Sequence, residues 1–428
     1  MAFLFCNGTI VLPDRLLPQG QVEVSSNRIR AIDTTAGAAT VPHNMRMVDL
    51  DDGFLVPGFV DLHVHGGAGH DFMDGTEEAF RAVCQAHARH GTTSLLPTTT
   101  AASHEQLLTF LGVCQKMCDP APQADPASRA GSAGAARSIA SSPATSPRDG
   151  GSRTGGARIL GAHFYGPYFA KEARGCHPAE PIRSPRPEEY LEYLAFGSCI
   201  SRATVAPELP GAETFVRSCR ALGIGANVGH SYATFAQMEA ARSWGVTHVD
   251  HLFCAMSDRA RLRQEQTYPM RGGVMEATLY FDDLTTEVIA DGKHLAAELL
   301  KLAYRLKGPN QLALVTDCNR ALDQPDGSYI FGPKEGGEPI LRMDGVGIMP
   351  DGKSLASGVF GMEHSVRTFL ALTGAPLVDV IRMASLTPAR IAGRDKEIGS
   401  IEVGKVADLV VLNRDLRVRE VYVGGERI

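Results

Sequence analysis

Two hydrophobic rhythms alternate along the chain, and their order predicts the architecture. Apolar residues recur at three- and four-residue spacing over 77–90, 212–222, 235–244 and 294–306, the pattern of helices with one buried stripe. Each leads into a short apolar run: Thr93-Ser94-Leu95-Leu96, Ile224–Val228, Val246–Val249 and Leu312–Thr316. Brief runs of this kind between turns read as strands buried on both faces. Helix and buried strand in repeated alternation imply a parallel sheet covered by helices. The length of the middle region, residues 57–395, suits a closed eight-stranded barrel of ~250 residues or more better than an open sheet. The expected class is α/β, a (β/α)8 TIM-like barrel.

The two ends follow a different rhythm. Ala2–Cys6, Gln21–Val24 and Arg28–Ala31 read as strands separated by Asn7-Gly8 and Ser25-Ser26-Asn27. Near the other end, Ala407–Leu412 and Val418–Val423 read the same way, followed by Gly424-Gly425. Residues 1–56 and 396–428 are therefore expected to pair into one small β-sandwich domain beside a barrel at 57–395. Between Asp119 and Ala157 the composition shifts to Ala, Gly, Ser, Pro and Arg, with Ile139 the sole large aliphatic residue. Nothing in that stretch offsets the entropy of ordering it, so a disordered surface insertion is expected.

Composition narrows the function classes. Forty-two basic against 48 acidic residues give a formal charge of −6, which argues against a nucleic-acid footprint. No run approaches the ~20 apolar residues of a bilayer span. The start, Met1 to Gly8, has no basic flank before its apolar stretch, so a cytoplasmic protein without membrane contact is expected. Nine cysteines, an odd number, suit buried thiols in a reducing compartment better than a disulfide framework.

Polar residues at the predicted strand ends carry the chemistry, since a barrel builds its active site there. In Phe59-Val60-Asp61-Leu62-His63-Val64-His65-Gly66-Gly67 the two histidines lie two apart on a strand and project from one face, so both imidazoles can reach one metal ion. Gly229-His230-Ser231 and Asp250-His251-Leu252 each close an apolar strand with a histidine, and Leu314-Val315-Thr316-Asp317 closes another with a carboxylate. Taken singly, these would be satisfied core histidines or a capping aspartate. Four strand ends offering imidazole and carboxylate donors point to a divalent ion with one position open to water. Other features carry less. Gly66-Gly67-Ala68-Gly69 lacks dinucleotide-loop spacing, His87 and His90 suit a helix C-terminus, and Cys114 and Cys118 lack partner ligands.

A His-x-His strand, two later single histidines and a final Asp resemble the amidohydrolase superfamily. Within it the chain is similar to the N-acetylglucosamine-6-phosphate deacetylases. Matching segments include Val56-Pro57-Gly58-Phe59-Val60-Asp61, Leu96-Pro97-Thr98, Ala206-Pro207-Glu208, His251-Leu252-Phe253-Cys254-Ala255-Met256, Ile289-Ala290-Asp291-Gly292-Lys293-His294 and Gly399-Ser400-Ile401-Glu402-Val403-Gly404-Lys405. The resemblance covers nearly the whole chain outside the Ala/Ser/Pro stretch.

It implies hydrolysis of the N-acetyl group of N-acetylglucosamine 6-phosphate, giving glucosamine 6-phosphate and acetate. It also implies metal ligands at His63, His65, His230, His251 and Asp317, with Asp317 and His251 as the catalytic pair. Substrate contacts fall to His177, His294, Cys254 and Ala255. An arginine from a second subunit of a homodimer completes the phosphate site, Arg271 being nearest by alignment and Arg259, Arg261 and Arg263 competing. Three positions depart from the family. His163-Phe164-Tyr165-Gly166-Pro167 stands where the family has His-x-Glu-Gly-Pro, so a ligand carboxylate is replaced by Tyr165, with His163 and Tyr165 as candidate substitutes. Cys254 stands where Asn is usual and Asp250 where Thr is usual. Loss of the carboxylate implies one metal ion per subunit, zinc, iron or manganese. It leaves open a deaminase or different amide hydrolase with a single metal, and a non-catalytic sugar-phosphate-binding relative.

Overall fold

The computed structural model describes residues 2–34, 45–118, 154–257 and 268–428. Its centre is a ring of parallel strands. The first (Phe59–Val64), second (Thr92–Pro97), third (Arg158–Ile159 continuing as Ala162–Phe164), fourth (Ile200–Thr204), fifth (Gly225–Val228), sixth (Val246–Val249), seventh (Thr285–Ile289) and eighth (Leu312–Val315) pair in chain order. The ring closes where the eighth strand meets the first, through Asp317 N–H to His63 C=O and His65 N–H to Cys318 C=O, both 2.9 Å. Backbone bonds of the seam thus run through three of the predicted ligand positions.

Helices between successive strands cover the ring. Phe235–Trp244 shows how the sequence sets them: Thr234 caps its start reciprocally with Gln237, and Gly245, at φ 114°, stops it in a conformation that glycine adopts without a Cβ penalty. The chain then enters Val246–Val249 directly. Phe80, Phe110, Leu95, Ile159, Phe215 and Val228 belong to one buried apolar cluster of the barrel wall. Inside the ring the buried side chains are polar, among them Asp61, His63, Arg202, Asn227, His248, Asp250 and Glu287. Period-two alternation puts Asp61, His63 and His65 on the same face of the first strand.

Beside the barrel, two sheets enclose a second core that includes Phe5, Val22, Ile29, Leu55, Leu409, Val411 and Tyr422. One sheet joins Ala2–Cys6 with Gly20–Ser25, Arg28–Thr34 and Arg46–Asp49. In the other, Leu409–Leu412 from the end of the chain runs antiparallel to Phe54–Pro57, with Val410 opposite Val56. Among the described residues no helix is long and apolar enough to cross a membrane.

Three details differ from the sequence expectations. Thr154–Ala157, placed in the insertion, are held: the Thr154 hydroxyl donates to Ala157 C=O at 2.7 Å, and Ala157 N–H to Cys84 C=O at 3.0 Å. The rest of that expectation, 119–153, lies outside the described residues, as do Arg259, Arg261 and Arg263. The helix expected from His294 begins at Ala297, because Asp291 accepts the N–H groups of Lys293 and His294 and keeps them in a turn. Gly327–Phe331, Glu338–Met343 and Val346–Ile348 form an antiparallel sheet that the hydrophobic pattern did not predict.

Candidate active site

The strands of the barrel end in left-handed backbone at three functional positions: His230 at φ 46°, His251 at 21° and Asp317 at 46°. Such conformations cost ~1–3 kcal/mol for a residue with a side chain and persist where the surroundings hold them. Here they turn each side chain towards a cavity of about 530 Å³, whose walls include His65, Tyr165, His177, His230, His251, His294 and Asp317.

His63, His65 and Asp317 form the tightest group. Asp317 Oδ1 lies 3.2 Å from His65 Nε2 and 3.6 Å from His63 Nε2. Burial alone would raise the Asp317 carboxyl, but His63, His65 and His251 outweigh it and hold it well below the usual range. His63 is fully buried, its Nδ1 is 2.8 Å from Glu287 Oε1, and its Nε2 has no hydrogen-bond partner. An ionised Glu287 only accepts, so Nδ1 carries a proton whether the ring is neutral or charged, and Nε2, which faces Asp317, is the nitrogen that offers a lone pair once its own proton has left. Burial opposes charge on His63, yet Asp317 and then Glu287 overcome it and push it up to about 9. A site that attracts a proton so strongly also attracts a cation, which displaces that proton when it binds. Two imidazoles and a carboxylate are the donor set of zinc and similar divalent ions, so these residues fit one.

His230 stands across the cavity. Its Nδ1 donates to Ala173 C=O at 2.6 Å, leaving Nε2 unprotonated, and its ring stacks on Phe169 at 4.4 Å. Its ring centre is 5.2 Å from that of His251, and it does not share the close ligand group of His63, His65 and Asp317.

Tyr165 occupies the middle of the imidazoles, its ring 4.5 Å from His63, 5.7 Å from His65 and 5.3 Å from His230. Its hydroxyl lies 2.5 Å from His251 Nε2. Burial raises the phenol well above 10 and lowers His251 to about 4, so the oxygen keeps its proton and donates to a neutral ring. Tyr165 therefore acts here as a hydrogen-bond donor to His251 and not as a charged substitute for the family's ligand carboxylate. His163 sits deeper, with Nε2 bound to the Thr204 hydroxyl at 2.8 Å, and does not enter the ligand group.

The outer residues divide. His177 Nδ1 accepts Ala101 N–H at 3.2 Å, and burial keeps the ring neutral, so its proton sits on Nε2. His294 is clamped by Asp291, with Nδ1 to Oδ2 at 2.7 Å; burial opposes its charge, but that carboxylate raises it. Cys254 and Ala255 line the cavity. Arg271 is exposed and lies outside the cavity lining, so within one chain it makes no contact with the site.

Sequence reasoning missed the layer beneath. Asp61, pushed up to about 7 by burial, accepts the Thr316 hydroxyl at 2.6 Å and ties the first strand to the eighth. Glu287 and His248 support His63, and Phe331 from the unforeseen sheet packs 4.9 Å from His65. The signal was available in Thr285-Thr286-Glu287-Val288-Ile289, where a charged residue interrupts an otherwise apolar or small strand.

Residues 54–119 and 217–428 match the amidohydrolase family. The chain is 31% identical to the N-acetylglucosamine-6-phosphate deacetylase of Bos taurus, covering 87% of this chain and 83% of that one. It is 28% identical to the N-acetylgalactosamine-6-phosphate deacetylase of Escherichia coli O157:H7, covering 98% and 99%. Among solved structures, N-acetyl-D-glucosamine-6-phosphate deacetylase from Mycobacterium smegmatis, a mutant in complex with N-acetyl-D-glucosamine-6-phosphate, superposes with a TM-score of 0.82 at 28% identity, covering 100% and 99%. The Pasteurella multocida deacetylase does so at 0.83 and 27%, covering 100% of both. Fold, strand-end chemistry and these likenesses agree: the chain belongs to the amidohydrolase family, in its N-acetylglucosamine-6-phosphate deacetylase branch.

Proposed function

We propose that this protein hydrolyses the N-acetyl group of an amino-sugar phosphate, N-acetylglucosamine 6-phosphate foremost, releasing acetate and the free amine. The observation that carries the proposal is the convergence of His63, His65 and Asp317 in one close group at a cavity that His177 and His294 also line. We assign one divalent ion, zinc, iron or manganese, to His63, His65 and Asp317, with His230 opposite. When bound, such an ion acidifies water from ~15.7 towards ~7 and polarises a carbonyl.

The protein groups do the rest. Asp317, kept ionised by its histidine neighbours, takes a proton from the attacking water and returns it to the departing nitrogen. That return matters because an amine leaves poorly until it is protonated. The Tyr165 hydroxyl spends its one proton on His251 Nε2 at 2.5 Å, which leaves the ring proton on Nδ1; that N–H is the protein donor assigned to the negative charge growing on the carbonyl oxygen, and one well-placed donor is worth ~3 kcal/mol. His177 offers Nε2–H to the sugar. His294, biased towards its charged form by Asp291, faces the phosphate. A homodimer in the cytoplasm, with Arg271 reaching the partner's cavity, completes the proposal.

A second sugar has support of its own, since one of the relatives quoted above, matched over 98% of this chain, is an N-acetylgalactosamine-6-phosphate deacetylase. The experiment is a product assay on both sugar phosphates, with acetate and ammonia measured together. Acetate release supports the proposal. Ammonia without acetate would assign a deaminase, and neither product after adding zinc, iron or manganese would assign a binding protein.

A further inference from the structure

One buried carboxylate beneath the cavity has no step in the proposed hydrolysis. Glu287, on the seventh barrel strand, is 1% exposed. Its Oε1 accepts His63 Nδ1–H at 2.8 Å and the backbone N–H of His251 at 3.3 Å, and its Oε2 accepts His248 Nε2–H at 3.2 Å. One side chain therefore touches the first strand, the sixth strand and the turn that carries His251.

His248, Asp250 and Glu287 together have the chemistry of a second ion site. Their oxygens are already engaged: Asp250 accepts the Thr204 hydroxyl and the Asn227 amide, each at 2.6 Å, and Glu287 holds His63 and His248. All three are closed to solvent, so the group reads as a support and not as a second ion site.

We infer that Glu287 is a positioning residue, which orients His63 and lends negative charge through that ring to the cation held by His63, His65 and Asp317. The inference rests on the ion site in the proposed function. A carboxylate behind a ligand imidazole fixes its tautomer and raises its basicity. Asp317 alone leaves a divalent ion with an excess positive charge in a buried site, and Glu287 supplies the balancing charge one ring away.

The test is zinc affinity, measured by competition with a chromophoric chelator on the native protein and on Glu287→Gln. Melting of the zinc-free proteins is recorded alongside. The amide keeps the side chain's size and removes its charge, and zinc dissociation constants are expected to rise ~10–100-fold. A purely structural role would lower the zinc-free melting temperature and leave the affinity of the folded protein unchanged. Unchanged affinity in folded Glu287→Gln therefore overturns the inference. Should that variant fail to fold, Glu287→Asp keeps the charge but withdraws it by one methylene; weakened affinity supports the role and unchanged affinity overturns it. If the native protein binds no zinc, iron or manganese, the ion site itself falls, and with it the proposed function. Native binding with an indifferent Glu287 removes this inference alone.

Discussion

Replacing Asp317 with Asn separates the carboxylate's charge from its shape. Asp317 sits at φ 46°, a left-handed conformation that Asn also adopts, whereas Ala there would add backbone strain. Its Oδ1 lies 3.2 Å from His65 Nε2 and 3.6 Å from His63 Nε2, and those rings keep it ionised. The amide retains an oxygen for coordination but cannot take a proton from water. A positioned base contributes ~10²–10⁴-fold, or about 2.7–5.4 kcal/mol at 1.36 kcal/mol per tenfold. The assay is initial-rate acetate release from N-acetylglucosamine 6-phosphate at saturating substrate and added metal, with bound metal measured on the same sample. The expected result is a kcat at least ~10²-fold lower with metal retained. A kcat within ~10-fold of native at full metal content would refute the proton-transfer role, because a single positioned base supplies more than that.

Tyr165→Glu returns a carboxylate to the middle of the imidazoles, so bound metal, measured by elemental analysis, should rise above one ion per chain; an unchanged content would mean that the tyrosine does not set the number. His294→Gln should raise KM for the 6-phosphate ~10-fold or more with little change in kcat, since it removes one charge-assisted contact, and an unaltered KM would exclude contact with the phosphate. His90 Nε2 is 2.8 Å from Asp323 and its Nδ1 3.2 Å from Glu363; burial opposes its charge, but these partners raise it to about 9. The unfolded value is ~6.5, so this contribution is complete below pH 6.5 and is lost as pH rises through 9. Native stability should fall by about 2 kcal/mol more than that of His90→Gln between those values, allowing for partial exposure. Parallel losses in chemical denaturation would contradict the assignment.

Much of this was legible because the barrel repeats one local code. Val246–Val249, Val418–Val423 and Phe235–Trp244 have the bounds that apolar runs and their flanking turns predict. Cap and stop residues lie within a few positions of the elements they control, so local rules suffice there. His63 and His65 are legible from strand periodicity, since alternation projects both from one face. The strand pairing between Glu338–Met343 and Val346–Ile348 went unseen although Asp344-Gly345 marks its turn. Its strands are short and partly exposed, and their hydrophobic alternation is weak. Glu287 was hidden for another reason. Its role depends on closure of the ring, which brings strands separated by more than two hundred residues into contact, and no local pattern encodes that partner. Tyr165 could be placed on its strand, but whether its oxygen meets the metal group or His251 is decided by packing across the cavity.

Anomalous diffraction at the metal's absorption edge, on crystals of the native protein, locates the ion without relying on turnover. The expected result is one peak per chain, ~2.0–2.2 Å from His63 Nε2, His65 Nε2 and an Asp317 oxygen. A peak among His248, Asp250 and Glu287, or none beside His63 and Asp317 in metal-replete protein, would contradict it.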